Sequence, residues 1–183
     1  LTGATRYLTL TGFLDLAVIA LGQPATIRDP GLLASALHRP AVTVFGADAY
    51  PTTLHKAAAL VQSLACNHAL VDGNKRCAFI ALAVFCEKNG YPLTFTSAQA
   101  TTFMVQVASG QLTDVEQIVA VLDANTTASG PYARKVITWS AISGEDSAED
   151  PIHVKLPEFS DNVEIMGIVI YDGDAEDPEN MAQ

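Results

Sequence analysis

Residues 53–85 read TLHKAAALVQSLACNHALVDGNKRCAFIALAVF, and this stretch decides the architecture. Leu54, Ala57, Ala58, Val61, Leu64 and Ala65 recur at three- and four-residue spacing, which predicts a helix from about Thr53. His68 falls on the same stripe and is expected to point inward at the end of a buried face. A loop holding Asp72, Gly73 and Asn74 follows, and a second helix begins at once with Lys75 and Arg76. From Cys77 to Phe85 that helix is apolar on every side, as suits the centre of a bundle.

The loop has the makings of a phosphate site. Glycine lets a backbone approach an anion, a fresh helix N-terminus offers unpaired N–H groups, and Lys75 and Arg76 add charge. Asp72 has two readings, a helix N-cap or a magnesium ligand. His68 likewise has two: a core histidine satisfied by a backbone group, or a base that takes a proton from an attacking hydroxyl. Two cations in a first turn oppose the helix dipole unless an anion is bound, so the pair itself points to a ligand. Gly73 and Asn74 can shape the turn, carry the phosphate, or both. His38, His55 and His153 have no comparable surroundings and read as surface or structural residues.

Outward from this centre the pattern stays helical. Thr11 to Leu21 is apolar-rich and stops at Gly22 and Pro24. Asp29 reads as an N-cap with Pro30 at the first helical position, and Pro40 closes that short helix. Ala41 to Pro51 (AVTVFGADAYP) reads as a short strand or hairpin. Tyr91 to Phe95 is a short extended link. A further helix is expected from Ser97 to about Ser109, and Thr113 to Glu116 reads as a capping box opening the last one, to about Ala124. The expected class is mainly α: a compact helical bundle with a short β element.

Asn125 to Pro131 is a linker by composition, and the character changes beyond it. Residues 1–130 hold seven Lys/Arg against eight Asp/Glu, a balance of −1, whereas 131–183 hold three against twelve, a balance of −9. Two parts are therefore expected, a helical domain over 1–128 and an acidic segment over 129–183. Lys135–Ile142, Ile152–Leu156 and Val163–Tyr171 give that segment β character, and Asp172–Gln183 has the composition of disorder. The total of −10 argues against direct nucleic-acid binding, which needs the opposite sign. No run is long and apolar enough to span a bilayer, and no signal-peptide pattern precedes the first helix. Cys66, Cys77 and Cys86 form no C-x-x-C pair and read as small buried apolar residues in a reducing cytoplasm.

The residues His68-Ala69-Leu70-Val71-Asp72-Gly73-Asn74-Lys75-Arg76 resemble the signature of the Fic/Doc family, in the form with lysine after asparagine that marks the Doc branch. Arg28-Asp29-Pro30-Gly31-Leu32-Leu33, Ser35-Ala36-Leu37 and Arg39-Pro40 resemble a second block of that family. Tyr50-Pro51, Lys56 to Leu60 and Ser63 to Ala65 resemble the helix leading into the motif. The likeness runs from about Tyr7 to Asp123. Leu70 departs from the commoner phenylalanine while keeping an apolar anchor. Residues 131–183 resemble no family.

The resemblance implies a helical fold with a flap at Ala41–Pro51 that aligns a target segment by strand addition. It implies ATP and Mg²⁺ as cofactors, His68 as general base and Asp72 as metal ligand. Gly73, Asn74, Lys75 and Arg76 would bind the nucleotide's phosphates, with Lys75 and Arg76 also stabilising the group in flight. Lysine at position 75 implies transfer of the γ-phosphate to a protein hydroxyl, with elongation factor Tu as target and translation arrest as outcome. Such a toxin pairs with an antitoxin protein, and the internal inhibitory pattern [ST]-x-x-x-E-[GN] is not found here. Two alternatives stand beside this reading: an AMP transferase, and a silent binding module restrained by its own acidic tail.

Overall fold

The computed structural model describes residues 4–127. The strands expected beyond Pro131, the division at 128/129 and His153 lie outside the described residues. Thr9 opens α1 (Leu10–Leu21) by accepting the Gly12 N–H at 3.0 Å, and left-handed Gly22 ends it. Asp29 caps α2 (Pro30–His38), its carboxylate accepting the Leu32 N–H at 2.9 Å. Pro40 sits in a 3₁₀ turn, Arg39–Ala41, that closes this helix.

The Ala41–Pro51 stretch forms a hairpin. β1 (Thr43–Val44) pairs antiparallel with β2 (Ala47–Asp48), Thr43 lying opposite Asp48. Phe45 and Gly46 turn it with φ of 51° and 83°, the positive pair that a tight two-residue hairpin needs. Thr52 then caps α3 (Thr53–Cys66), and left-handed Gly73 precedes α4 (Asn74–Lys88).

Two more helices complete the bundle, α5 (Ser97–Ala108) and α6 (Val115–Ala124). The capping box expected at Thr113 to Glu116 does not form. Asp114 is the cap instead, accepting the Glu116 N–H at 3.1 Å. The Glu116 carboxylate has a competing partner, His55 Nε2 at 3.1 Å, which draws it away from its own helix start. The capping box lies one helix earlier, between Thr96 and Gln99.

α3 and α4 form the centre. Ala57, Ala58, Ala59 and Ala65 let α3 approach its neighbours closely, and all four are fully buried. On α4 every residue from Cys77 to Cys86 is buried, as its unbroken apolar sequence requires. Phe13 from α1, Leu33 from α2, Phe103 and Met104 from α5, and Ile118 and Leu122 from α6 close around the pair. Phe95 bridges two of these layers, edge-on to Phe79 at 6.1 Å and stacked on Phe103 at 5.3 Å. After α6 the chain folds back onto the α4–α5 link, Thr126 bridging to Leu93. The expected linker therefore begins as packed structure.

This burial sets the chemistry of the thiols. Desolvation pushes Cys77 up to about 12 and raises Cys86 as well. Cys66, expected to be buried like the other two, is exposed at the last position of α3; its sulfhydryl is still raised, partial desolvation outweighing the pull of Arg39. Alkylation needs the thiolate, so at pH 8 the folded chain is expected to label at Cys66 first. Cys77 and Cys86 should label only after denaturation, as mass-mapped iodoacetamide reaction reads directly; early labelling of either would contradict the buried α4.

Candidate active site

The loop between α3 and α4 is held by its own backbone. Leu70, 1% exposed, anchors it in the core. The Asn74 carboxamide pairs twice with the Leu70 peptide, Oδ1 accepting the Leu70 N–H and Nδ2 donating to its carbonyl, both at 2.9 Å. The segment ahead of α2 lies alongside as an antiparallel bridge, Ile27 opposite Leu70. Arg28 and Asp29 N–H groups both donate to the Ala69 carbonyl, at 2.8 and 3.1 Å, and Val71 N–H donates to Thr26 at 2.9 Å. Arg28 Nη2 reaches the Val71 carbonyl at 3.3 Å. A loop with this many main-chain partners is pre-organised before any ligand arrives.

His68 does not follow the buried stripe of α3. The helix ends at Cys66, Asn67 caps it, and His68 turns out with φ 49° into the exposed loop. The change of course comes from the loop. Ala69 and Leu70 go inward to the core, so the residue before them must reverse direction, which a left-handed backbone does. That conformation costs a non-glycine residue about 1–2 kcal/mol, a strain of the kind that collects at functional sites. An exposed imidazole suits a base that must meet a substrate.

Asp72 is exposed, and its carboxylate accepts the Gly73 N–H at 2.7 Å. It does not cap α4, whose N-cap is Gly73 with no side-chain partner. The first intrahelical bond is Cys77 N–H to the Gly73 carbonyl, so the N–H groups of Asn74, Lys75 and Arg76 stand ahead of the ladder. Lys75 is exposed beside them. Arg76 is half-buried and sends one N–H to the Ala20 carbonyl at the end of α1, 3.4 Å away. Each cation opposes the helix dipole by about 0.3–1 kcal/mol, a penalty an anion at the helix start reverses. The Asn74 amide is not offered to a ligand in this arrangement, because Leu70 takes both its ends. Asn74 shapes the turn, and its main-chain N–H is what it presents.

The hairpin is fixed to α3 by two cations that the sequence reading gave no role. Buried Lys56 donates to Asp48 at 2.8 Å, its ammonium 5.7 Å from the Tyr7 ring centre. Burial alone would lower this ammonium; the Asp48 carboxylate and Tyr7 more than offset it, and the net shift is upward. Arg39 donates to the Tyr50 hydroxyl at 2.7 Å and to the buried Ser63 hydroxyl at 2.8 Å. Lys56 was detectable in principle, as a charge on an otherwise apolar stripe. Arg39 and Tyr50 are eleven residues apart and gave no spacing signal. His55 is structural, held between Thr52 and Glu116, and His38 is exposed at the end of α2.

A single carboxylate beside an open helix start suits a hard cation that arrives on phosphates. Mg²⁺ typically takes one or two protein carboxylates and completes its shell with phosphate oxygens and water. Asp72 fits that role through its second oxygen. No cluster of three metal-ligating side chains exists among the described residues, and none of their helices is long and apolar enough to cross a membrane.

Two comparisons bear on the site. The Fic/DOC family model matches residues 7–86, which include the whole loop. Toxin Doc of Mycolicibacterium smegmatis (strain ATCC 700084 / mc(2)155) is 47% identical over 120 residues, covering 64% of this chain and 92% of that protein.

Gly73 carries the sharpest steric demand in the loop. Its φ is 77°, and a Cβ there would overlap the Leu21 side chain. Gly73→Ala is expected to cost about 2 kcal/mol or more in urea denaturation. In a Leu21→Ala background the same change should cost only the ~1–2 kcal/mol of the left-handed backbone. Equal losses in both backgrounds would show that Leu21 is not the obstacle.

Proposed function

The chain belongs to the Fic/Doc family, and we propose that it is the toxin of a toxin–antitoxin pair, a phosphotransferase that moves the ATP γ-phosphate to a hydroxyl of a translation factor. The observation that carries this reading is the exposed, left-handed His68 facing solvent one short loop from the uncapped start of α4. Base and anion site are thereby set on a shared, rigid turn. Lys75 favours phosphate over AMP transfer: its point charge suits a terminal phosphate and crowds the place where the inner phosphates of an adenylyl donor would lie.

His68 takes the proton of the target hydroxyl. The freed oxygen attacks the γ-phosphorus, a new P–O bond forms, and the bond to the β-phosphate oxygen breaks to release ADP. The Asn74, Lys75 and Arg76 N–H groups receive phosphate oxygens, and the Lys75 and Arg76 side chains offset the charge that builds on them. Asp72 would hold Mg²⁺, which when bound withdraws charge from the phosphate chain. A protein hydroxyl of elongation factor Tu is the proposed acceptor. An antitoxin protein is the proposed restraint, and the cytoplasm the proposed site of action.

The acidic residues 129–183 supply a second restraint in this reading. Lys75 and Arg76 form no ion pair with a carboxylate among the described residues, and the 131–183 stretch carries −9. An acidic segment of the same chain competes with ATP for these cations.

Parallel reactions with γ-³²P-ATP and α-³²P-ATP, Mg²⁺ and elongation factor Tu test the transfer. Label from the γ position alone, abolished by His68→Asn, is the expected result; label from the α position would make the enzyme an AMP transferase. Removal of residues 131–183 should raise the rate several-fold, and an unchanged rate would sink the tail's inhibitory role.

A further inference from the structure

Arg28 lies outside the motif, yet it holds the motif loop at two points. Its main-chain N–H donates to the Ala69 carbonyl at 2.8 Å, and its guanidinium Nη2 donates to the Val71 carbonyl at 3.3 Å. Between them, Ile27 bridges Leu70. The gripped residues have telling neighbours: His68 immediately precedes Ala69, and Asp72 immediately follows Val71. Arg28 thus joins Thr26 and Asp29 in clamping the short strand that separates His68 from Asp72.

The two arms differ in what backs them up. The Ala69 carbonyl also receives the Asp29 N–H at 3.1 Å, so the His68 side of the loop is doubly held. On the other side, Val71 is 53% exposed, and Arg28 is the side chain that holds its carbonyl. The Val71 N–H is held by the Thr26 carbonyl at 2.9 Å, while the carbonyl side of Val71, which leads into Asp72, is met by the Arg28 side chain; directly beyond it the Asp72 carboxylate accepts the Gly73 N–H at 2.7 Å.

We propose that Arg28 is a positioning residue: through the Val71 carbonyl it fixes the peptide that aims Asp72 and the first N–H groups of α4. It touches neither base nor phosphate. The inference rests on the proposed transfer reaction for its kinetic consequence, but its structural half stands apart from it.

The test compares the full chain with Arg28→Gln and Arg28→Lys by amide hydrogen exchange and by steady-state phosphate transfer to elongation factor Tu. Both variants keep the Arg28 main-chain N–H, so only the guanidinium arm is altered. In Arg28→Gln the Gly73 amide should exchange about tenfold faster, while the Asp29 and Cys77 amides keep their rates. The kcat should fall about tenfold, with the KM for ATP within about twofold of wild type. Arg28→Lys keeps a donor on a long stem and should recover part of both. Unchanged Gly73 exchange in Arg28→Gln would overturn the proposal. So would a raised KM for ATP at unaltered kcat, because Arg28 would then be a nucleotide contact. Should the wild type transfer no phosphate even after removal of residues 131–183, the reaction assignment fails, and the exchange rates alone still decide whether Arg28 orders the loop.

Discussion

Two hydrogen bonds of 2.9 Å between the Asn74 carboxamide and the Leu70 peptide govern this structure. Leu70 drives its side chain into the core, and its backbone goes with it. A buried N–H or C=O left unmet costs about 1–3 kcal/mol. Asn74 meets both, and it can do so only from the first position of α4. The length of the loop, the start of α4 and the place of Gly73 against Leu21 all follow from that closure. The bridge to Thr26–Asp29 then adds a second wall, so the turn is fixed on both sides before a ligand binds.

Around this closure the molecule accepts local penalties. The start of α4 has no side-chain cap and two cations, and His68 holds a left-handed backbone. Stability comes from elsewhere: the buried α4 spine, the alanine-faced approach of α3, and the aromatic stack through Phe95. Arg76 moderates one penalty by serving the carbonyl end of α1 while standing at the amide end of α4. A cation between two helix termini of opposite polarity is favourable toward the first and unfavourable toward the second. The imbalance leaves room for an anion.

Much of the bundle was legible from residue pattern. Helical periodicity marked α3, the unbroken apolar run marked α4, and Asp29-Pro30 and Gly22 marked helix ends, because these signals are local. The hairpin was legible only as a short strand or hairpin, and the contacts that fasten it were not legible at all. Lys56 to Asp48 and Arg39 to Tyr50 and Ser63 are pairings made by the fold, with no fixed spacing to announce them. The turn from His68 to Asn74 was readable as a loop between two helices, but His68 was assigned the wrong direction. Periodicity was extended two residues past the end of α3, where loop closure, a non-local constraint, had taken over. The Thr113 capping box failed for a related reason: His55, sixty-one residues away from Glu116, competes for the same carboxylate.

The backbone of His68 has a consequence for how an inactive form of this protein should be made. Alanine removes the imidazole and keeps the full cost of φ 49°, so such a variant mixes lost chemistry with an altered loop. Asparagine tolerates the left-handed region far better. It removes the proposed base while sparing the turn, and it makes the better decoy for capturing the proposed partner in its native grip.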